Sequence, residues 1–179
     1  MDLYIEIKRS EKKWYNPLSK STDISLSSLG YAFVTGASRG IERAFAVELA
    51  RYEIPLILVA RDETTLKALA LDIQTAYGVP CVIIKADLSE KGTAKRIYET
   101  TKEAGLKVDI LINNAGVCTS KDIVQVDEGD IERMMDVNVR STTILSQLYA
   151  KEMKNARRGR ILFVSSMVGA MPSGPAVAT

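Results

Sequence analysis

At 179 residues the chain has the length of one ordinary domain, and 46% hydrophobic with 26% charged residues reads as soluble and globular. A formal net charge of +2 calls for neither an acidic polymer nor a membrane surface, so no nucleic-acid partner is expected. Histidine is absent, which excludes a His-dependent triad and a His-rich metal site; no metal is expected. Cys81 and Cys118 form no CxxC pair, and the start, MDLYIEIKRSEKKW, has no apolar leader core, so a reducing cytoplasm is the expected compartment. No window reaches the roughly 18 consecutive apolar residues of a spanning helix.

Residues 1–29 are mixed and polar, with Pro17 and many serines, and read as a loose extension before the domain at 30–179. Five short apolar runs follow: YAFVT (31–35), PLILVA (55–60), CVIIKA (81–86), VDILI (108–112) and RILFVS (160–165). Each is bounded by turn signals and rich in β-branched residues, the pattern of a strand buried on both faces. Helical stretches lie between them, over 41–52, 63–77, 89–104 and 130–155. In the first, Ile41, Phe45, Leu49 and Tyr52 recur at helical spacing, with Ala44 beside them, as the apolar stripe of a helix does. Asp87, Ser89 and Asp127 are candidate N-caps. Strand alternating with helix predicts an α/β fold with a doubly wound parallel sheet.

TGASRG, from Thr35 to Gly40, directly follows the first of these runs and opens the first helix. That is where an open α/β sheet receives a ligand phosphate. Gly36 permits a tight turn, and Gly40 lets backbone approach a pyrophosphate. The same loop without a ligand would be a plain strand–helix turn. A P-loop is excluded because no GK[ST] is present.

TGASRGIE resembles the TGxxxGxG fingerprint of the short-chain dehydrogenase/reductase family. Four further landmarks match in order. These are Asp87 in KADLS, NNAG from Asn113 to Gly116, Asn138 in MMDVNVRS, and Ser165–Ser166 after RILFV. Any one alone is an ordinary cap, turn or strand end; their shared order over residues 31–179 carries the resemblance. The ketoacyl-reductase and hydroxysteroid-dehydrogenase-like members are the most similar. The resemblance implies a Rossmann-type sheet and an oxidoreductase acting on a small carbonyl or alcohol substrate. It places the cofactor on Thr35, Gly36, Ser38, Arg39, Gly40, Ile41, Arg61, Asp87, Leu88, Asn114, Ala115 and Gly116. It gives Ser166 the polarisation of the substrate carbonyl, and Asn138 a water of the proton relay. A complete enzyme of this kind is expected to be a homo-oligomer.

The end of the second parallel strand decides between cofactors. An acid there favours NAD(H) through the ribose 2′-hydroxyl, whereas an arginine accommodates the 2′-phosphate of NADP(H). Arg61 comes first, Asp62 second, and Arg39 lies in the glycine loop. NADP(H) is therefore expected, with NAD(H) the alternative that Asp62 would favour.

Two departures qualify the resemblance. Glu42 stands where the family's third glycine would be, and its charge beside the cofactor phosphates is expected to weaken binding. The family's proton-transferring tyrosine, and a lysine four residues later, follow the serine by a little more than a dozen residues. Here Ser166 is followed by MVGAMPSGPAVAT, the last tyrosine is Tyr149, and Lys151 and Lys154 precede the serine. The chain thus reads as truncated before that pair, with the sheet incomplete at its C-terminal side, little activity alone, and 160–165 an aggregation-prone edge. The alternative is a non-catalytic nucleotide-binding or interaction module, or a non-functional fragment.

Overall fold

The computed structural model describes residues 5–8, 29–37, 40–119 and 121–166; the side chains of 5–8 and of Glu42 lie outside that description. The five apolar runs become β2 (Tyr31–Thr35), β3 (Leu56–Ala60), β4 (Cys81–Lys85), β5 (Val108–Asn113) and β6 (Arg160–Phe163). They pair in parallel in the order β4-β3-β2-β5-β6. The chain leaves β2 toward β3 and β4, then returns to the other side of β2 for β5 and β6. The switch in direction therefore falls between β2 and β5, where an open sheet forms a crevice beyond its strand ends.

Helices on both faces explain the uninterrupted apolar runs. Ala32, Val34, Leu56, Leu58 and Ile83 pack under α1 (Gly40–Arg51) and α2 (Glu63–Tyr77). Phe33, Ile57, Val59, Val82, Ile84 and Leu111 form the opposite core, which includes Ile97 from α3 (Thr93–Glu103) and Leu145 and Tyr149 from α5 (Thr142–Asn155). β6 is one of the two edge strands among the described residues, with Leu162 and Phe163 exposed.

The structure corrects four sequence expectations. Ile5–Lys8, within the segment read as a loose extension, forms β1, which pairs antiparallel with β4 from Ile5 opposite Ile84 to Lys8 opposite Cys81. The inward stripe of α1 is Ala46 and Ala50, flanked by Phe45 and Leu49, while Ile41 and Tyr52 are exposed. Alanines bring this helix close to the sheet, with Phe45, Val47 and Leu49 packed partly buried at their sides. The third helix starts at Thr93 behind Gly92, so neither Asp87 nor Ser89 caps it. The stretch 130–155 is not one regular helix: α4 (Glu128–Met134) passes into a π-helical segment, Met135–Ser141, before α5. Asp127 does cap α4, accepting from Asp130 N at 2.8 Å.

One buried charge ties the far end of the sheet together. Asp109 is 1% exposed. Its Oδ2 accepts from Gly30 N at 2.5 Å and lies 2.6 Å from Arg158 Nη2. It thus joins the residue before β2, the start of β5 and the turn before β6. Removing one partner of a buried pair strands the other charge, so Asp109→Ala should lower unfolding free energy by about 3–5 kcal/mol. Urea denaturation reads this directly, and a loss within the surface-pair range of about 1 kcal/mol would contradict it.

Candidate functional site

A cavity of about 520 Å³ opens at the switch point between β2 and β5. Gly36 stands at the end of β2, Val59 to Asp62 at the end of β3, and Ala86 to Leu88 after β4. Ala115 to Val117 follow β5, and Val137 comes from the π-helical segment. Gly36 and Gly40 both take positive φ, 77° and 62°, so this strand-to-helix turn uses the left-handed conformation that glycine adopts without steric cost.

Three side chains fasten these loops to one another. Thr35 is 2% exposed. Its hydroxyl accepts from Asn114 N and Ala115 N, each at 3.0 Å, and donates to Ile112 O at 3.3 Å. Asn138 Oδ1 accepts from Val117 N at 2.9 Å while its Nδ2 donates to Val117 O at 2.8 Å. Ser141 Oγ donates to Leu88 O at 2.6 Å. The glycine turn, the loop after β4 and the loop after β5 are thereby held in one arrangement by β2 and the π-helical segment.

The charges at the rim are also placed. Asp87 Oδ1 accepts from Ser89 N at 2.9 Å and Ser89 Oγ at 2.7 Å, and Oδ2 has no hydrogen-bond partner among the described residues. Partial burial opposes ionisation of this carboxyl. The two Ser89 bonds and the charges of Arg61 and Arg133 outweigh it and hold the carboxyl below its ordinary range. Asp87 is therefore an ionised acceptor with one oxygen to offer. Asp62, by contrast, caps α2: Oδ1 accepts from Thr65 N at 3.1 Å and Oδ2 from Thr65 Oγ1 at 2.6 Å.

Of the residues expected from the sequence, Gly36, Arg61, Asp87, Leu88, Ala115 and Gly116 line the cavity. Thr35 and Asn114 are not among the lining residues, and Asn114 N donates to the Thr35 hydroxyl. Gly40 and Ile41 begin α1 without lining the cavity, and Ile41 faces solvent. Ser38 and Arg39 lie outside the described residues. Ser166 sits three residues past the end of β6, exposed and off the cavity wall. Val164 N donates to Asn113 O at 2.9 Å, so the chain leading to Ser166 stays aligned with the end of β5.

Sequence reading missed Val59, Ala60, Ala86, Val117 and Val137 as cavity lining and Ser141 as a fastener. A signal for the lining was present, because strand ends at a switch point form the crevice whatever their residue type. The Ser141 contact spans 53 positions and has no local signature.

Asn138→Ala removes two bonds and leaves the Val117 backbone groups unpaired, a cost of about 2 kcal/mol. Asn138→Asp keeps only the acceptor. Asn138→Ala should speed hydrogen exchange at the Val117 amide, whereas Asn138→Asp, which still accepts from that amide, should leave it protected; an unchanged rate in a folded Asn138→Ala protein would contradict the fastening role.

Residues 30–178 match the family described as short chain dehydrogenase. The chain is 41% identical over 142 residues to an uncharacterized short-chain type dehydrogenase/reductase of Sinorhizobium fredii, covering 79% of this chain and 53% of the relative. It is 35% identical over 154 residues to 17-beta-hydroxysteroid dehydrogenase type 3 of Homo sapiens, covering 82% and 48%. Among solved structures, a short-chain dehydrogenase from Sphingobium yanoikuyae in complex with NADPH superposes with a TM-score of 0.77 at 33% identity, covering 83% of this chain and 57% of that one. The chain spans about half the length of these curated relatives. With its family pattern matched from residue 30 onward and its strand-end cleft at the switch point, the chain belongs to the short-chain dehydrogenase family.

Proposed function

We propose that the cleft binds NADP(H) and that the protein is an oxidoreductase acting on a small carbonyl or alcohol substrate. The observation that carries this reading is the convergence of Gly36, Arg61, Asp87 and Gly116 on one cavity at the switch point. The pieces fit a dinucleotide. Gly36, in the turn that leads to α1, lines the cavity where a diphosphate would lie. Gly116 has no side chain to fill the space beside Asn138. Asp87 offers a carboxylate oxygen to an adenine amine. Arg61 lies in the wall where a ribose 2′-phosphate would stand. Asp62, the acid that would favour NAD(H), spends both oxygens on the first turn of α2. The Sphingobium relative, which carries NADPH, supports the same preference.

The bound cofactor would exchange a hydride with the substrate carbonyl carbon. Ser166, three residues past the end of β6, would donate to the carbonyl oxygen from the C-terminal edge of the sheet. A water-holding role for Asn138 has to share a side chain whose two polar atoms already bond Val117. Within the 179 residues no tyrosine follows Ser166, so the proton donor of this reading is unassigned. Binding is the part that the cleft itself supports. A reducing cytoplasm fits the free thiols of Cys81 and Cys118. The exposed stripe Ile131, Met135 and Val139 along α4 and the π-helical segment supports self-association.

A second reading, nucleotide binding without turnover, is favoured by Glu42 at the family's glycine position. Calorimetry with NADPH and NADH tests both readings. NADPH should bind more tightly, and Arg61→Ala should weaken NADPH about tenfold to a hundredfold, leaving NADH little changed. Glu42→Gly should tighten both, by roughly tenfold to a thousandfold. A folded chain that binds neither nucleotide, with or without Glu42→Gly, would sink the cofactor assignment.

A further inference from the structure

A second cavity, of about 210 Å³, lies at the other end of the sheet from the cleft. Val108 and Asp109, which open β5, belong to its wall, whereas the cleft is built from the loops beyond the strand ends. Thr101 and Lys102 come from the last turn of α3, and Tyr149, Glu152 and Met153 from α5. Three polar residues of this wall are almost wholly buried: Thr101 and Asp109 at 1% exposure and Tyr149 at 3%.

Counting donors and acceptors leaves one of their groups open. Thr101 Oγ1 donates its single proton to Tyr98 O at 2.8 Å, a carbonyl that can only accept. The 2.8 Å contact between Thr101 Oγ1 and Tyr149 Oη is therefore a bond donated by Tyr149. Tyr149 Oη keeps its own acceptor capacity, and no donor among the described residues meets it. The other polar groups are matched within the wall. Glu152 Oε1 accepts from Tyr98 Oη at 2.7 Å and from Lys102 Nζ at 2.8 Å. Asp109 Oδ2 takes Gly30 N and Arg158, and Lys107 Nζ stands 3.9 Å from Oδ1. Lys102 and Lys107 thus balance Asp109 and Glu152, and the wall has no net charge to attract an ion.

The rest of the wall suits a ring. Leu106, Val108 and Met153 supply apolar surface, and the rings of Tyr98 and Tyr149 stand edge to face at 5.3 Å between centroids. An apolar cavity of about 150 Å³ holds one benzene ring, so 210 Å³ holds a single ring with a substituent. We propose that this cavity is a second small-molecule site, taking a neutral single-ring aromatic alcohol whose hydroxyl donates to Tyr149 Oη. The ring lies against Met153 and the two tyrosines. A ring without a donor leaves the buried acceptor unmet. A charged ring gives up its hydration to a wall that offers no net charge in return. This site is separate from the cleft and does not depend on what the cleft binds.

Phenol is the probe, with anisole (the same ring and oxygen, no proton to donate) and toluene beside it. Each is titrated into the chain while the Met153 methyl resonance is followed by NMR. Phenol should shift that resonance saturably, with anisole and toluene weaker by about threefold to tenfold. Tyr149→Phe should bring phenol down to the level of anisole. Ala156→Phe, at an exposed position of the cavity wall, should abolish the binding of all three. Should Tyr149→Phe fail to fold, the comparison of phenol with anisole and the Ala156→Phe chain still decide. No saturable shift at Met153, or a shift shared equally by Met134 and Met135 outside this cavity, would overturn the proposal. So would anisole binding as tightly as phenol, or a phenol affinity left unchanged by Tyr149→Phe or by Ala156→Phe.

Discussion

The cleft depends on one buried hydroxyl. Thr35 closes β2, the strand from which the sheet winds in both directions, and its Oγ1 receives the amides of Asn114 and Ala115. Those amides open the loop after β5, across the switch point from the glycine turn. Without that acceptor two backbone donors would be left unpaired at the base of the cleft, at a cost of about 1–3 kcal/mol each. A threonine at the strand end thus fixes the distance between the loop that would face a diphosphate and the loop that would face the rest of the ligand.

The long helical passage from α4 to α5 does the equivalent work on the other side. Its π-helical segment carries Asn138 and Ser141, which hold the loops after β5 and β4, and Val137, which lines the cavity. Local widening of a helix costs regular hydrogen bonding and recurs at functional sites. Here it coincides with the residues that shape the cleft wall. The electrostatics follow the same division. Fixed backbone positions define the crevice, and Asp87 and Arg61 in its wall supply charge at one end.

The parallel strands and the glycine turn were legible in the sequence for a physical reason. Burial on both faces removes polar residues from a strand, so LILVA and CVII stand out without alignment. β1 escaped because it is four residues long and lies among charges, although IEIK alternates with the period of an edge strand. The inward face of α1 was misread because contact there is made by Ala46 and Ala50, and apolar periodicity weights bulk over closeness. The π-helical segment leaves no mark in composition. Asp87 and Thr35 were found as site residues, but their partners were not all visible. The bonds of Thr35 reach 79 and 80 positions along the chain, and only the folded topology brings such groups together. Asp62 illustrates the converse: its bond to Thr65, three residues on, is a local capping pattern.

The most direct test of this account is hydrogen exchange at the Asn114 and Ala115 amides, measured in the wild type, Thr35→Ser and Thr35→Val, alongside NADPH affinity. Valine keeps the shape and removes the acceptor; serine keeps the acceptor. The account predicts fast exchange at both amides and weakened NADPH binding in Thr35→Val, with both properties retained in Thr35→Ser. A folded Thr35→Val chain with both amides still protected and NADPH bound as tightly as before would show that the cleft is held by something other than this hydroxyl.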